Sequence, residues 1–319
     1  MNIHESEKIA GILKDLNFEK EAENEEEADI IVFNTCCIRD GAEQKIFSHI
    51  GALKNLKKKN KNVILCVTGC LPQAEGKVEE MEAKFPFLDL VIGTYNLSYF
   101  GDYLMRFLED GIQTFDVWKE DLRLHKKVTP LRSSGTNAWV NISYGCDNFC
   151  TYCIVPYVRG REKSREMGDI VAEVDCLVKA GYKYVTLLGQ NVNSYGNDVD
   201  DPEVNFANLL RKVSEVEGDF KIRFMTNHPK DLSDEVIDEI ARNDKVCKVI
   251  HLPVQSGNNR ILKLMNRKYT REQYLDIIKK IRERIPDCTI TTDIIVGFPT
   301  ETDEEYMDTY NLLKEVRFD

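Results

Sequence analysis

A short apolar run followed by a helical stretch recurs along this chain, three times before residue 110 and five times after residue 137. Strands apolar on both faces and alternating with helices belong to parallel sheets covered on two sides, so the chain reads as α/β. The first set has strands at 30–33, 63–68 and 90–93, with helices at about 42–58, 73–84 and 97–108. An amphipathic helix precedes it, carrying Ile9, Ile12, Leu13 and Leu16 at helical spacing. A sheet of this kind normally opens with a strand, so a leading strand is expected to be missing. Residues 111–137, with Gly111, Pro130 and weak periodicity, read as a linker. The second set has strands at 139–143, 184–188, 221–225, 248–253 and 289–296, with helices at about 168–180, 206–217, 233–243, 271–284 and 304–316. Five such units indicate part of a parallel β/α barrel, since a closed eight-unit barrel needs about 250 residues. The expected division is therefore 1–110, 111–137 and 138–319.

Bulk composition narrows the class further. With 319 residues, 42% apolar and 30% charged, the chain can bury cores for two domains. No apolar stretch approaches the length of a membrane span, and MNIHESEKIAGILKDL lacks the layout of a secretory signal. A cytosolic, reducing compartment is expected, where clustered cysteines are metal ligands more often than disulfides. The net charge of −11 argues mildly against a nucleic-acid partner, although much of the acid sits in 19–29. Basic residues gather at 54–61, 159–165 and 260–271. The first group reads as the exposed end of a helix. The second, RGREKSR, is either a phosphate contact or a set of structural salt bridges.

Chemistry concentrates in SYGCDNFCTYC, where Cys146, Cys150 and Cys153 fall within eight residues. A closed structural zinc site uses four ligands, and no fourth cysteine follows. Three thiolates suit a 4Fe–4S cluster with one open iron, where S-adenosylmethionine (SAM) chemistry can begin. The loop follows the first barrel strand, at the rim where active sites of such barrels gather. Tyr152 is placed either to pack on an adenine or simply to fill the loop. The other strand ends are polar too: Gly189-Gln190-Asn191, Thr226-Asn227-His228-Pro229, His251 with Gln255-Ser256-Gly257, and Asp293 with Gly297-Phe298-Pro299. Four polar strand ends on one rim form a ligand-site pattern, though His228 or His251 alone is as readily a structural histidine. Cys36 and Cys70 each end a strand of the first set, so both belong at one sheet edge as metal ligands or as buried free thiols. Cys37 is expected to point elsewhere, Cys66 to lie in the core, and Cys176, Cys247 and Cys288 to serve packing.

Together the segments MNIHESEK, NTCCIRDGAEQK, VTGCLPQ, SYGCDNFCTYCIVPYVRGREKSR, LLGQNVNSYG, RFMTNHP, HLPVQSG and IIVGFPTET resemble the radical-SAM methylthiotransferases. Within that group the chain is most similar to the tRNA-2-methylthio-N6-dimethylallyladenosine synthases (MiaB type), the Ile38-Arg39 pair included. The resemblance implies a Rossmann or flavodoxin-like methylthiotransferase domain followed by a partial radical-SAM barrel. It implies that Cys146, Cys150 and Cys153 hold the SAM-cleaving 4Fe–4S cluster, and that Cys36 and Cys70 hold an auxiliary 4Fe–4S cluster carrying the inserted sulfur. Tyr152, Gln190, Asn191, Gln255, Asp293 and Gly297 become candidate SAM contacts. The implied reaction is hydrogen abstraction by a 5′-deoxyadenosyl radical at C2 of N6-isopentenyladenosine beside the tRNA anticodon, with a second SAM supplying the methyl group. Implied partners are the tRNA anticodon loop and an electron donor such as flavodoxin or ferredoxin, for a cytoplasmic monomer that touches no membrane. The alternatives are a methylthiotransferase acting on threonylcarbamoyladenosine or a ribosomal protein, or an inactive fragment that only binds metal. Relative to the family, the chain is expected to lack a Gly-Cys-Gln run with the auxiliary cluster's third ligand, a sixth barrel unit and a C-terminal RNA-binding β domain.

Overall fold

In the computed structural model, the residues described are 2–18, 20–37, 40–119, 128–132 and 135–319. The Ile38-Arg39 pair lies outside them. The chain forms two compact units, one of the described residues up to Arg132 together with 154–160, the other of 135–153 and 161–319.

The first unit runs α1 (Asn2–Asp15), β1 (Ile30–Thr35), α2 (Asp40–Lys59), β2 (Ile64–Gly69), α3 (Cys70–Gln73), α4 (Lys77–Lys84), β3 (Leu90–Ile92), α5 (Phe100–Asp110) and β4 (Thr114–Asp116). Its four strands are parallel and lie in chain order. Period-two alternation splits β2 between two cores. Leu65 and Val67 pack with Ile50, Leu53 and Met81 on the side of α2 and α4. Ile64 and Cys66 pack with Ile9, Phe100 and Leu104 on the side of α1 and α5. The two-sided cover expected from the apolar strands is thus observed.

Several details differ from expectation. Strand β4 lies inside the stretch read as linker; three residues are too few to show periodicity, and it forms by pairing with β3. The basic end of α2 is not simply exposed. The Lys57 ammonium bonds both oxygens of buried Asp89, at 2.7 and 2.9 Å, and the Val63 carbonyl at 2.6 Å. Asp89 also accepts from the Leu65 amide at 2.8 Å, so one ion pair ties α2 to the start of β2 and β3. Residues 154–160 contribute α6 (Val155–Arg159), held where Thr94 Oγ1 donates to the Val158 carbonyl at 2.6 Å.

The second unit contains β5 (Asn137–Asn141), β6 (Ser143–Tyr144), β7 (Lys163–Ser164), α7 (Met167–Lys179), β8 (Tyr184–Leu188), α8 (Phe206–Ser214), β9 (Lys221–Phe224), α9 (Asp234–Arg242), β10 (Val249–His251), α10 (Asn259–Leu264), α11 (Arg271–Arg284), β11 (Thr289–Thr291) and α12 (Asp303–Val316). Strands β5, β8 and β9 pair in parallel, as do β10 and β11, and a parallel bridge joins Ile222 of β9 to Val246, in the segment leading into β10. All five expected strands are present, and so are the five expected helices. Their ends follow local chemistry: Asn205, Ser233 and Asn258 cap α8, α9 and α10, while Thr270 with Gln273 and Thr302 with Glu305 form capping boxes on α11 and α12. The antiparallel β6–β7 pair and α10 carry too few residues for their periodicity to register in the sequence. Among the described residues no helix is long and apolar enough to cross a membrane.

Gly69 sits at φ +101°, and a Cβ there would lie 2.4 Å from the Thr35 carbonyl oxygen. Gly69→Ala is therefore expected to destabilise the first unit by about 1–3 kcal/mol. Gly111→Ala, at φ +70° but with open space around it, should cost less, as read from the urea unfolding midpoints of the two variants and the parent chain.

Candidate functional site

The three-cysteine loop leaves β6 and turns at Gly145 (φ +68°) and Phe149 (φ +46°). It hangs on the end of α10 through bonds that involve no sulfur. The Thr151 amide donates to the Met265 carbonyl at 3.1 Å, Thr151 Oγ1 to Leu264 at 3.0 Å, and Asn266 Nδ2 to Phe149 at 2.9 Å. A turn closes from the Cys153 amide to the Cys150 carbonyl at 2.9 Å. Cys146 and Cys150 are buried and Cys153 half-buried. Asn148 Nδ2 donates to Cys146 Sγ at 3.3 Å, and Arg267 Nη1 to Cys150 Sγ at 3.3 Å. Burial pushes the Cys146 thiol up to about 11, against the pull of the Asn148 donors. Among the described residues no three His, Cys, Asp or Glu side chains come close enough to hold one metal ion.

Acidic groups border the loop. Asp147 accepts from the Arg161 guanidinium at 2.7 and 3.0 Å and from the Glu162 amide at 2.9 Å, and the guanidinium holds its carboxyl below the usual range. Burial, reinforced by Asp231, Asp147 and Asp198, pushes Glu162 up to about 7, opposed by the Ser194 hydroxyl bonded to it. The basic run ending at Arg165 is internally paired. Arg161 holds Asp147, Arg165 holds Glu173 at 2.8 Å and the Asn141 carbonyl at 2.6 Å, and Arg159 reaches Asn2 Oδ1 at 3.2 Å. Of the two readings of that run, these contacts are the salt-bridge one.

At the rim, Tyr152 and Gly297 line one open groove of about 650 Å³ with Thr151, Leu264, Ile295 and Phe298. Gln255 (φ +67°) bridges to the Asp293 segment through backbone bonds of 3.0 and 2.9 Å, so these two candidates are adjacent. Gln190 is half-buried. Asn191 is buried with both ends of its amide engaged, donating to Asp231 at 2.6 Å and accepting from the His228 amide at 3.1 Å. His228 accepts from the Lys230 amide at 3.3 Å and packs edge-on against Tyr269. Burial, aided by Arg267 and Lys230, drives its ring down to about 2, so it stays neutral. His251 pairs with Thr291 Oγ1 at 2.9 Å and lies 3.4 Å from the Asp293 carboxylate. Asn148, Glu162 and Arg267 escaped the sequence reading. Arg267 had a signal only as one member of a basic run, which says nothing about burial.

In the first unit, Thr35 pairs with Gly69, so Cys36 and Cys70 leave adjacent parallel strands at one edge. Cys70, expected to close β2, instead begins α3. Its sulfur accepts from the Cys37 thiol and from Arg159, which together lower its pKa, while that bond and burial raise Cys37. The expectation that Cys37 points elsewhere is therefore corrected: leaving β1, the chain no longer alternates, and Cys37 turns toward α3. Cys66 is buried in the core and Cys288 packs against the second core, as expected. Cys176 does not serve packing. It is exposed on α7, across from the buried Ile170, Val174 and Leu177.

Comparison with known proteins bears directly on these loops. Residues 140–313 match the radical SAM superfamily, and residues 1–93 match the uncharacterized protein family UPF0004. Over all 319 residues the chain is 54% identical to a tRNA-2-methylthio-N(6)-dimethylallyladenosine synthase of Clostridium tetani, spanning 70% of that protein. It is 51% identical to one of Thermoanaerobacter pseudethanolicus, spanning 67%. Among solved structures, the radical S-adenosylmethionine methyltransferase TsrM of Kitasatospora setae, with cobalamin and a [4Fe-4S] cluster bound, superposes with a TM-score of 0.71 at 13% identity. That match covers 98% of this chain and 67% of TsrM. At such identity it speaks to the fold alone.

The neutral His228 gives a pH signature. Its ring titrates near 6.5 when unfolded and near 2 when folded, so the unfolded chain binds the extra proton between those values. Its contribution to stability is intact above pH 6.5 and declines as pH falls toward 2. His228→Gln should reduce the drop in urea midpoint between pH 7.5 and pH 5 relative to the parent chain. An equal drop in both would show that the ring is not neutral when folded.

Proposed function

The chain belongs to the radical SAM superfamily and, within it, to the family of tRNA-2-methylthio-N6-dimethylallyladenosine synthases, and we propose that it methylthiolates C2 of N6-isopentenyladenosine beside the anticodon of tRNA. The observation that carries this reading is the 54% identity over the whole chain, in which a three-thiol loop is embedded. In this reading, residues 1–110 form the methylthiotransferase domain and 138–319 the part-barrel.

Cys146, Cys150 and Cys153 hold the 4Fe–4S cluster. The donor set fits it: three soft sulfur ligands, hydrogen-bond donors on two of them, and no fourth thiol in the loop. When bound, that cluster supplies the electron that cleaves SAM and so makes an unreactive aromatic C–H bond attackable, which side-chain acids and bases cannot do. Tyr152 and Gly297 flank the groove that takes the adenosyl end of SAM, Gln190, Gln255 and Asp293 contact the rest of it, and Asn191, its amide engaged by Asp231 and His228, braces the rim behind them. Cys36 and Cys70 would supply two of the three ligands of the auxiliary cluster that provides the inserted sulfur, with Arg159 orienting Cys70. The target adenine has to leave its stack to reach the rim, which an anticodon loop permits at low cost. The protein works as a cytoplasmic monomer with flavodoxin or ferredoxin as its reductant.

Anaerobic reconstitution with iron and sulfide should give absorbance at about 400 nm. The triple variant Cys146→Ala/Cys150→Ala/Cys153→Ala should lose one cluster's worth of iron and all reductive release of methionine from SAM. Retention of both would remove the triplet from the chemistry. For the substrate, nucleoside mass spectrometry of a strain lacking this gene should show isopentenyladenosine accumulating without its 2-methylthio mark. A missing mark on threonylcarbamoyladenosine, or on a ribosomal protein, would transfer the assignment to that substrate.

A further inference from the structure

Arg267 is a buried guanidinium, 8% exposed, between α10 and α11. Its Nη2 donates to the Pro253 carbonyl at 3.0 Å and its Nε to the Tyr269 hydroxyl at 3.1 Å. Its Cζ lies 5.2 Å from the centre of the Tyr269 ring. Tyr269 is itself fixed, donating to the Val254 carbonyl at 2.7 Å. These contacts are all neutral, and among the described residues no carboxylate forms an ion pair with Arg267. The remaining contact is Nη1 to Cys150 Sγ at 3.3 Å. A charge removed from water needs a counter-charge or a full set of hydrogen bonds. Of these contacts only the Cys150 sulfur and the Tyr269 hydroxyl can become anions, and the hydroxyl is committed as a donor to the Val254 carbonyl. Because the fork is planar and two of its arms are anchored, the third points at that sulfur without further ordering.

The chain also contains its own comparison. Cys146 receives a neutral donor, Asn148, at the same 3.3 Å, while Cys150 receives a charged one. Hydrogen bonds and positive charge at a cluster's sulfurs stabilise the reduced, more negative state. We propose that Arg267 is a positioning residue that fixes Cys150 and raises the reduction potential of the cluster this cysteine holds. The inference rests on the reading of Cys150 as a cluster ligand.

The test uses the full chain, reconstituted anaerobically, in a Cys36→Ala/Cys70→Ala background so that one cluster is observed. Reduction is followed by electron paramagnetic resonance in a mediated potential titration, with iron counted beside it. Arg267→Met is expected to bind the same iron but to show a reduced-to-oxidised ratio about tenfold lower at the parent's midpoint, a negative shift of about 59 mV for one electron. Arg267→Lys, which keeps the charge, should lie closer to the parent, and Asn148→Ala should shift less than Arg267→Met. Equal midpoints in the parent and Arg267→Met overturn the proposal, as does a Lys variant no closer to the parent than the Met variant. Should Arg267→Met lose the cluster, Arg267→Gln keeps a donor without the charge, and an unshifted midpoint there overturns it equally. A parent chain that takes up no iron defeats the cluster assignment itself, and is distinguished because nothing remains to titrate.

Discussion

Parallel strand pairing is the constraint on which the rest depends. Because the β1–β2 ladder runs from Ile30–Ile64 to Thr35–Gly69 without a slip, the chain leaves both strands at the same edge with a cysteine next in line. The β5–β8 ladder does likewise, delivering the loop that follows β6 and the Gly189-Gln190-Asn191 turn to one rim. A one-residue slip in either ladder would move each side chain to the opposite face of its sheet, so burial of Leu65, Val67, Val140 and Leu187 in their own cores indirectly fixes where the chemistry sits. Glycine permits the tightest of these approaches, at residue 69, where any side chain would meet the Thr35 backbone.

What could be read in the sequence follows from how many residues share each signal. Buried strands such as 184–188 and helices such as Arg271–Arg284 spread their patterns over many positions and lie where periodicity puts them. Cysteine spacing was equally plain, since three thiols in one loop have few uses. Features set by distant contacts were not legible. Strand β4 exists because β3 offers it a partner, and Lys57 turns inward because Asp89 waits 32 positions away. Arg267 lies 117 residues from Cys150, and no local pattern reports that contact. Cys37 and Cys176 failed in opposite ways: one abandons strand alternation to meet a neighbouring thiol, the other occupies the outer face of a helix.

Charge placement explains why an acidic chain can still carry conspicuous arginines at its functional loops. Arg161, Arg165 and Arg159 are committed to Asp147, Glu173 and the Cys70 edge, so their role is to shape loops rather than to form a free positive surface. Glu162 lies among three other carboxylates, and burial there favours its protonated form, lessening repulsion beside a loop that carries ionisable thiols.

The sulfur-free moorings of the three-cysteine loop have a consequence for assembly. Small zinc modules gain their shape from the metal, and chelation unravels them. Here Thr151 and Asn266 clamp the loop through main-chain oxygens, so the chain itself contributes to the loop's outline. The thiols are thus carried on a frame that their own chain builds, as hooks are carried on a rail that is fixed at both ends.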